Sequence, residues 1–149
     1  MDALTIMKRC RDAAADMEEL EGRIRQRRDA LASAGGAPGV GASRQGMIRD
    51  RMAEAVSAIT ELEKRLAARR ERYAVEIVAA SALSEALDQP GGRVAYLYYG
   101  KGMNARAIAR KMQYSEGYVR QLKRRAEDQL REISGARLYD YLPAWYLEG

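Results

Sequence analysis

Apolar residues recur along the first part of the chain in alternating steps of four and three. Ile6, Cys10, Ala13, Met17, Leu20, Ile24 and Leu31 form the first stripe, with Arg27 standing where an apolar residue is due. Arg, Asp and Glu crowd the other faces, so one narrow seam is buried and the rest is wet; the spacing predicts a helix over 2–33. A second stripe follows through Ile48, Met52, Ala55, Ile59, Leu62, Leu66 and Tyr73, with Arg69 as its odd member. The register then shifts to Ile77, Ala80, Leu83 and Leu87, which predicts a helix from about Gln45 to Leu87. At 1.5 Å per residue such a helix spans roughly 65 Å, too long for one small domain to cover. The expected arrangement is an antiparallel helical hairpin, or coiled coil, over 1–88, with the later part of the second stripe meeting another copy of the chain. A homodimer is the simplest closed assembly of that kind. Arg27 and Arg69 are expected either to open the seam or to find a Glu partner there.

Gly and Pro fill the connector between these helices, 34–46. Within it, Gly36-Ala-Pro-Gly-Val-Gly-Ala-Ser43 fits the phosphate-loop pattern G-x-x-x-x-G-K-[ST] except at Ala42, where the lysine belongs. That lysine carries the charge on the phosphates, and a charged helix rather than a strand precedes the loop. A flexible connector is the better reading. A second interruption, Asp88-Gln-Pro-Gly-Gly92, marks the expected domain boundary.

Beyond it the elements shorten. Arg93–Tyr99 reads as a short apolar helix, Gly100-Lys-Gly102 as a turn, and Asn104–Leu130 as two amphipathic helices with a turn at Gln113–Tyr114. Asn104 and Ser115 are good N-cap residues. Ile108, Ala109 and Met112 share a face on the first helix, and Val119, Leu122 and Ala126 share one on the second. Small Ala109 permits a close crossing. This is the shape of a helix-turn-helix whose second helix, 115–130, enters the DNA major groove. The fold class is therefore all-α: a long helical hairpin, a helix-turn-helix domain over 89–131, and a tail over 132–149.

Ser-Glu-Gly-Tyr-Val-Arg-Gln-Leu-Lys-Arg-Arg-Ala, 115–126, resembles the recognition helix of region 4 of bacterial sigma-70 factors, which reads the −35 promoter element. The resemblance extends back through 93–103. A long two-helix segment ahead of such a motif is similar to small phage-encoded, sigma-like transcriptional regulators. The resemblance implies a double-stranded DNA partner in a bacterial or phage-infected cell, with RNA polymerase as a candidate neighbour; the unpaired Cys10 and the lack of a membrane-span run make the cytoplasm the expected location. It supports Arg120 and Gln121, which match the family's Arg-Gln pair in register. It departs at Glu116 and Gly117, where the family commonly has Arg-Glu, and at Gln113, so the target sequence is expected to differ from the −35 consensus. Nothing resembles the region that melts the −10 element.

Charge sharpens this picture. The net charge is +5, yet 101–131 alone holds nine basic against three acidic side chains, whereas 1–100 is nearly balanced and the tail is acidic. Positive charge confined to the motif is what counterion release exploits. Opposite Val119 and Leu122, the expected base-reading positions are Glu116, Gly117, Arg120, Gln121 and Arg124. Arg pairs with guanine O6/N7, Gln with adenine N6/N7, and Glu with a cytosine amino group. Arg106, Arg110, Ser115, Tyr118, Lys123 and Arg125 are the expected phosphate contacts.

Composition removes other classes. With no His and one Cys, a Cys/His zinc site and an intrachain disulfide framework are excluded. Neither catalytic residues nor a cofactor site are expected, and an enzyme is the least favoured reading. No apolar run approaches the roughly 20 residues of a membrane span, and Cys10 is expected as a small buried thiol. The tail, rich in Tyr and Trp, is expected to strap onto a core or to anchor a partner such as polymerase. The alternative class is a coiled-coil structural or adaptor protein, or a phage DNA-packaging recognition subunit.

Overall fold

The computed structural model describes residues 1–34 and 42–149, and among these the protein is all-α. Two long helices, α1 (Ala3–Ala34) and α2 (Ala42–Glu85), lead the chain. Helix α3 (Gly91–Ala95) runs on into a π-helical turn, Tyr96–Gly100, and is followed by α4 (Ala105–Met112) and α5 (Glu116–Glu132). A 3₁₀ turn (Gly135–Asp140) and α6 (Ala144–Glu148) complete it. Among the described residues no helix is long and apolar enough to cross a membrane. Most of the phosphate-loop-like run and of its connector lies outside the described residues.

Packing groups the residues into two compact units, 16–70 and 1–15 with 71–149. The boundary expected at 88 is therefore not where contacts divide. The ends of the two long helices belong with everything that follows them, because the later stripe of α2 is apolar enough to take part in a larger core.

In the 16–70 unit the stepped stripes meet as expected. Leu20 and Ile24 of α1 bury against Ile59, Leu62 and Leu66 of α2, with Met17 and Leu31 half-covered. Ion pairs flank the seam: Arg28 with Glu63, and Arg70 with Glu21 at 3.4 Å. The lower number on one helix pairs with the higher on the other, so the helices run antiparallel. Arg27 and Arg69 are both exposed and form no ion pair among the described residues, so the seam opens at each.

In the other unit, Ala3, Leu4, Ile6, Met7 and Cys10 pack with Ala79, Ala80, Leu83 and Leu87, with Leu130 and Ile133 from the end of α5, and with Leu138 and Leu142 of the tail. The stripe expected to meet a second copy is thus covered within the chain. The tail is a strap on this core, although Trp145 and Tyr139 stay exposed. Backbone pairing adds to the closure: Ala3 N–H donates to Ile133 O at 2.8 Å, and Asp2 bridges Ser134. Asp2 also caps α1, its Oδ1 accepting from Thr5 N at 2.8 Å, and that bond holds its carboxyl below the usual range.

One acid lies inside. Glu76 is buried, accepting from Arg9 Nη2 at 3.0 Å and from the Tyr146 hydroxyl at 2.6 Å, so both carboxylate oxygens are satisfied. Burial, then the bond to Glu76, pushes the Tyr146 hydroxyl well above the tyrosine range. Burial also pushes the Cys10 thiol up to about 12, which keeps it a thiol, as the seam position implied.

A smaller core carries the C-terminal motif. Val94 and Leu97 from α3 and its π turn meet Ile108 and Ala109 of α4 and Val119 and Leu122 of α5. Alternate residues of the same segment, Ala95 and Tyr99, enter the larger core, so this short helix is shared by both. Two glycines make its fit possible. A Cβ on Gly92 would clash with Ser84 O, and one on Gly100 would lie 2.9 Å from Ile77 Cδ1. Gly100 O in turn accepts from the Tyr73 hydroxyl at 2.6 Å.

Candidate nucleic-acid interface

The caps read from sequence are in place. Asn104 Oδ1 accepts from Ala107 N at 2.8 Å, and Ser115 Oγ accepts from Tyr118 N at 3.2 Å. Each satisfies one of the free donors that a helix start leaves over. Between them α4 ends on Gln113, which adopts a left-handed conformation (φ 61°, ψ 41°) and lets Tyr114 N–H return to Ala109 O. A residue with a Cβ pays about 1–2 kcal/mol for that conformation. The turn thus has the geometry of a glycine-type C-cap without the glycine.

With Val119, Leu122, Ala126 and Leu130 buried, α5 presents the opposite face outward. Gly117, Arg120, Gln121, Arg124 and Arg125 are exposed on it, and Arg106 and Arg110 are exposed on α4. A Cβ on Gly117 would meet nothing within 4 Å. Tyr118 is partly open and stands edge-on to Tyr114, ring centroids 5.0 Å apart.

Four of the expected site residues, Glu116, Arg120, Arg106 and Lys123, are held in ion pairs. Glu116 lies 3.6 Å from Arg120 and 4.0 Å from Arg106, so one carboxylate screens two of the cations expected to face DNA. Exposed pairs of this kind are worth at most about 1 kcal/mol and yield readily to a phosphate. Lys123 is turned inward: its side chain is 25 % exposed, against 65 % for Arg120, and it pairs with Glu127 at 3.0 Å. Its ammonium also lies 4.3 Å from the Tyr98 ring centroid. Glu127 in turn takes Arg131 at 3.8 Å, and its charge adds to the burial that raises the Tyr99 hydroxyl.

Arg120, Lys123 and Arg124 share a cleft of about 440 Å³ with Tyr98, Asn104 and Arg11. Arg11 is the residue that sequence reasoning missed. It sits on the charged flank of α1, and no local pattern separates it from Arg9 or Arg23.

Residues 85–132 match the family Sigma-70, region 4. The match supports a sigma-70 region 4-like, DNA-binding helix-turn-helix over that span. It takes in α3, the π turn, α4 and α5. No curated protein and no solved structure matches the chain.

Proposed function

We propose that this sigma-70 region 4-like domain makes the protein a sequence-specific regulator of transcription, of the kind represented by small phage-encoded sigma-like proteins. It reads double-stranded DNA by laying α5 in the major groove. The observation that carries this reading is the outward face of α5: Arg120, Gln121 and Arg124 stand exposed in its first three turns, on a helix capped at Ser115 and seated by Val119 and Leu122. Arg120 and Gln121 are the base readers, and Arg124 and Gly117 lie beside them at the groove. Glu116 serves first as the partner of Arg106 and Arg120, exchanging them for DNA on binding. Arg106, Arg110, Tyr118, Arg125 and the Ser115 hydroxyl contact phosphates.

A second copy of the chain is the proposed protein partner, joined through the 16–70 unit. There Met47 and Val56 are exposed and Ile48 and Met52 only half-covered. The exposed Trp145 and Tyr139 suit an anchor for polymerase.

Selection of bound sequences from a random duplex pool tests the main reading. A defined motif is expected, with affinity that falls steeply with salt. Arg120→Ala is expected to relax the preference at one base pair, a change of about 1–3 kcal/mol. Equal affinity for every duplex, before and after that change, overturns the reading.

A further inference from the structure

Arg11 belongs to α1, yet its side chain is built into the cleft beside α5. Nη1 donates to the Tyr98 carbonyl and to the Met103 carbonyl at 3.3 Å, and the guanidinium carbon stands 3.8 Å from the Tyr98 ring centroid. These partners fix the plane of the group without neutralising it. Carbonyls and a ring face offer partial charge only, and among the described residues Arg11 has no carboxylate partner. Arg9, two positions earlier, is spent on Glu76. Lys123, facing the same ring, is spent on Glu127. Arg11 is therefore a preorganised, uncompensated cation whose Nε and Nη2 have no hydrogen-bond partner among the described residues. Holding a guanidinium in place in advance lowers the entropy cost of using it.

Most of the remaining charged lining is of the same sign. Arg120 and Arg124 enter from α5, and the start of α4 at Asn104 and Ala105 adds the positive end of that helix. The cleft's one carboxylate, Glu127, already serves Lys123 and Arg131.

We propose that this cleft seats a backbone phosphate of the duplex whose bases α5 reads, with Arg11 as an anchor supplied by the N-terminal helix. The inference rests on the DNA-reading function proposed above. Three cations of the groove-facing helix, Arg120, Lys123 and Arg124, line the cleft, so a phosphate in it lies on a strand flanking the groove. A volume of about 440 Å³ exceeds what one free phosphate fills and suits a strand passing through.

The test compares Arg11→Ala and Arg11→Lys with the unaltered chain, titrating salt on the selected duplex and on random duplex. Arg11→Ala is expected to weaken both about tenfold, to lower the slope of log K against log salt by about 0.9, and to leave base preference unchanged. Arg11→Lys keeps the charge and is expected to keep the slope. An unchanged slope in Arg11→Ala overturns the inference. So does an equal fall in slope in both variants with matched losses in melting temperature, which marks Arg11 as a brace for the π turn. Should Arg11→Ala fail to fold, arginine modification by phenylglyoxal on the unaltered protein decides. Duplex is expected to protect Arg11, and inorganic phosphate or a free nucleoside triphosphate is not. Protection by the small anions as good as by duplex overturns the duplex seat in favour of a small-anion site. A chain that binds no duplex at all fails the earlier proposal, whereas duplex binding indifferent to Arg11 fails only this one.

Discussion

Between 16 and 70, α1 and α2 share a single seam of Leu20, Ile24, Ile59, Leu62 and Leu66, edged by exposed ion pairs and interrupted at Arg27 and Arg69. In the unit of 1–15 and 71–149 the same two helices bury side chains against α5, the π turn and the tail, and even an acid is enclosed and doubly bonded. The helical period is alike in both, so periodicity is not what separates them. The difference is how many elements meet each stripe. A stripe facing one partner stays thin and tolerates a missed position, whereas one facing several forms a core in which a single side chain touches many others.

Alkali breaks this contrast most bluntly. Burial raises Cys10 to about 12 and raises Tyr73, Tyr99 and Tyr146 above the usual tyrosine range, while 16–70 contains neither Cys nor Tyr. The unfolded chain loses these protons at about pH 8.5 to 10, and the native unit holds them. Stability is therefore complete below that window and falls as pH rises through it toward the folded values. Amide exchange followed from pH 8 to 11 is expected to show the larger unit opening first; earlier opening within 16–70 contradicts the comparison.

Point changes grade the same contrast. Leu83→Ala, at a fully buried side chain of the larger core, is expected to cost about 3–5 kcal/mol. Leu62→Ala, on the thin seam, is expected to cost about 2 kcal/mol or less because neighbouring side chains can close over it. Urea unfolding measures both, and equal losses refute the argument from partner number. Next in size is Tyr146→Phe, which strips one bond from the buried Glu76 carboxylate and is expected to cost about 1.5–3 kcal/mol. Its near-neutrality would mean that water replaces the hydroxyl.

The smallest effects have the opposite sign. Gln113→Gly relieves a left-handed residue, and Gly117→Ala fills open space in a helix; each is expected to raise stability by up to about 1 kcal/mol. Thermal melts read the gain. If Gly117→Ala stabilises the fold yet weakens duplex binding, the missing side chain serves close approach to DNA rather than the helix.

Local features were legible in the sequence because their causes are local. The stepped stripes, the caps at Asn104 and Ser115, the turn at Gln113 and the buried face of α5 all depend on residues within a few positions of one another. Glu76 was not legible, since its partners Arg9 and Tyr146 lie about 70 positions away on either side and it reads as one more charge on a wet flank. Arg11 was hidden for the same reason, as were the Tyr98 ring and Glu127 that stand beside Lys123. The later stripe of α2 was expected to meet another copy of the chain, yet residues of the same chain cover it. That cover depends on the hairpin bringing residues 3–10 back to it, which no periodicity records.

The backbone bond from Ala3 to Ile133 has a consequence for how the molecule comes into being. Residues 3–10 leave the ribosome long before their neighbours at 126–142 are translated, so for most of synthesis their apolar side chains have nothing to close against. The 16–70 hairpin can zip from nearby sequence, but the larger core waits on contacts of very long range, which makes its closure the slow step. A ribosome stalled before residue 130 would hold a chain with one finished hairpin and an exposed, sticky apolar segment at 3–10.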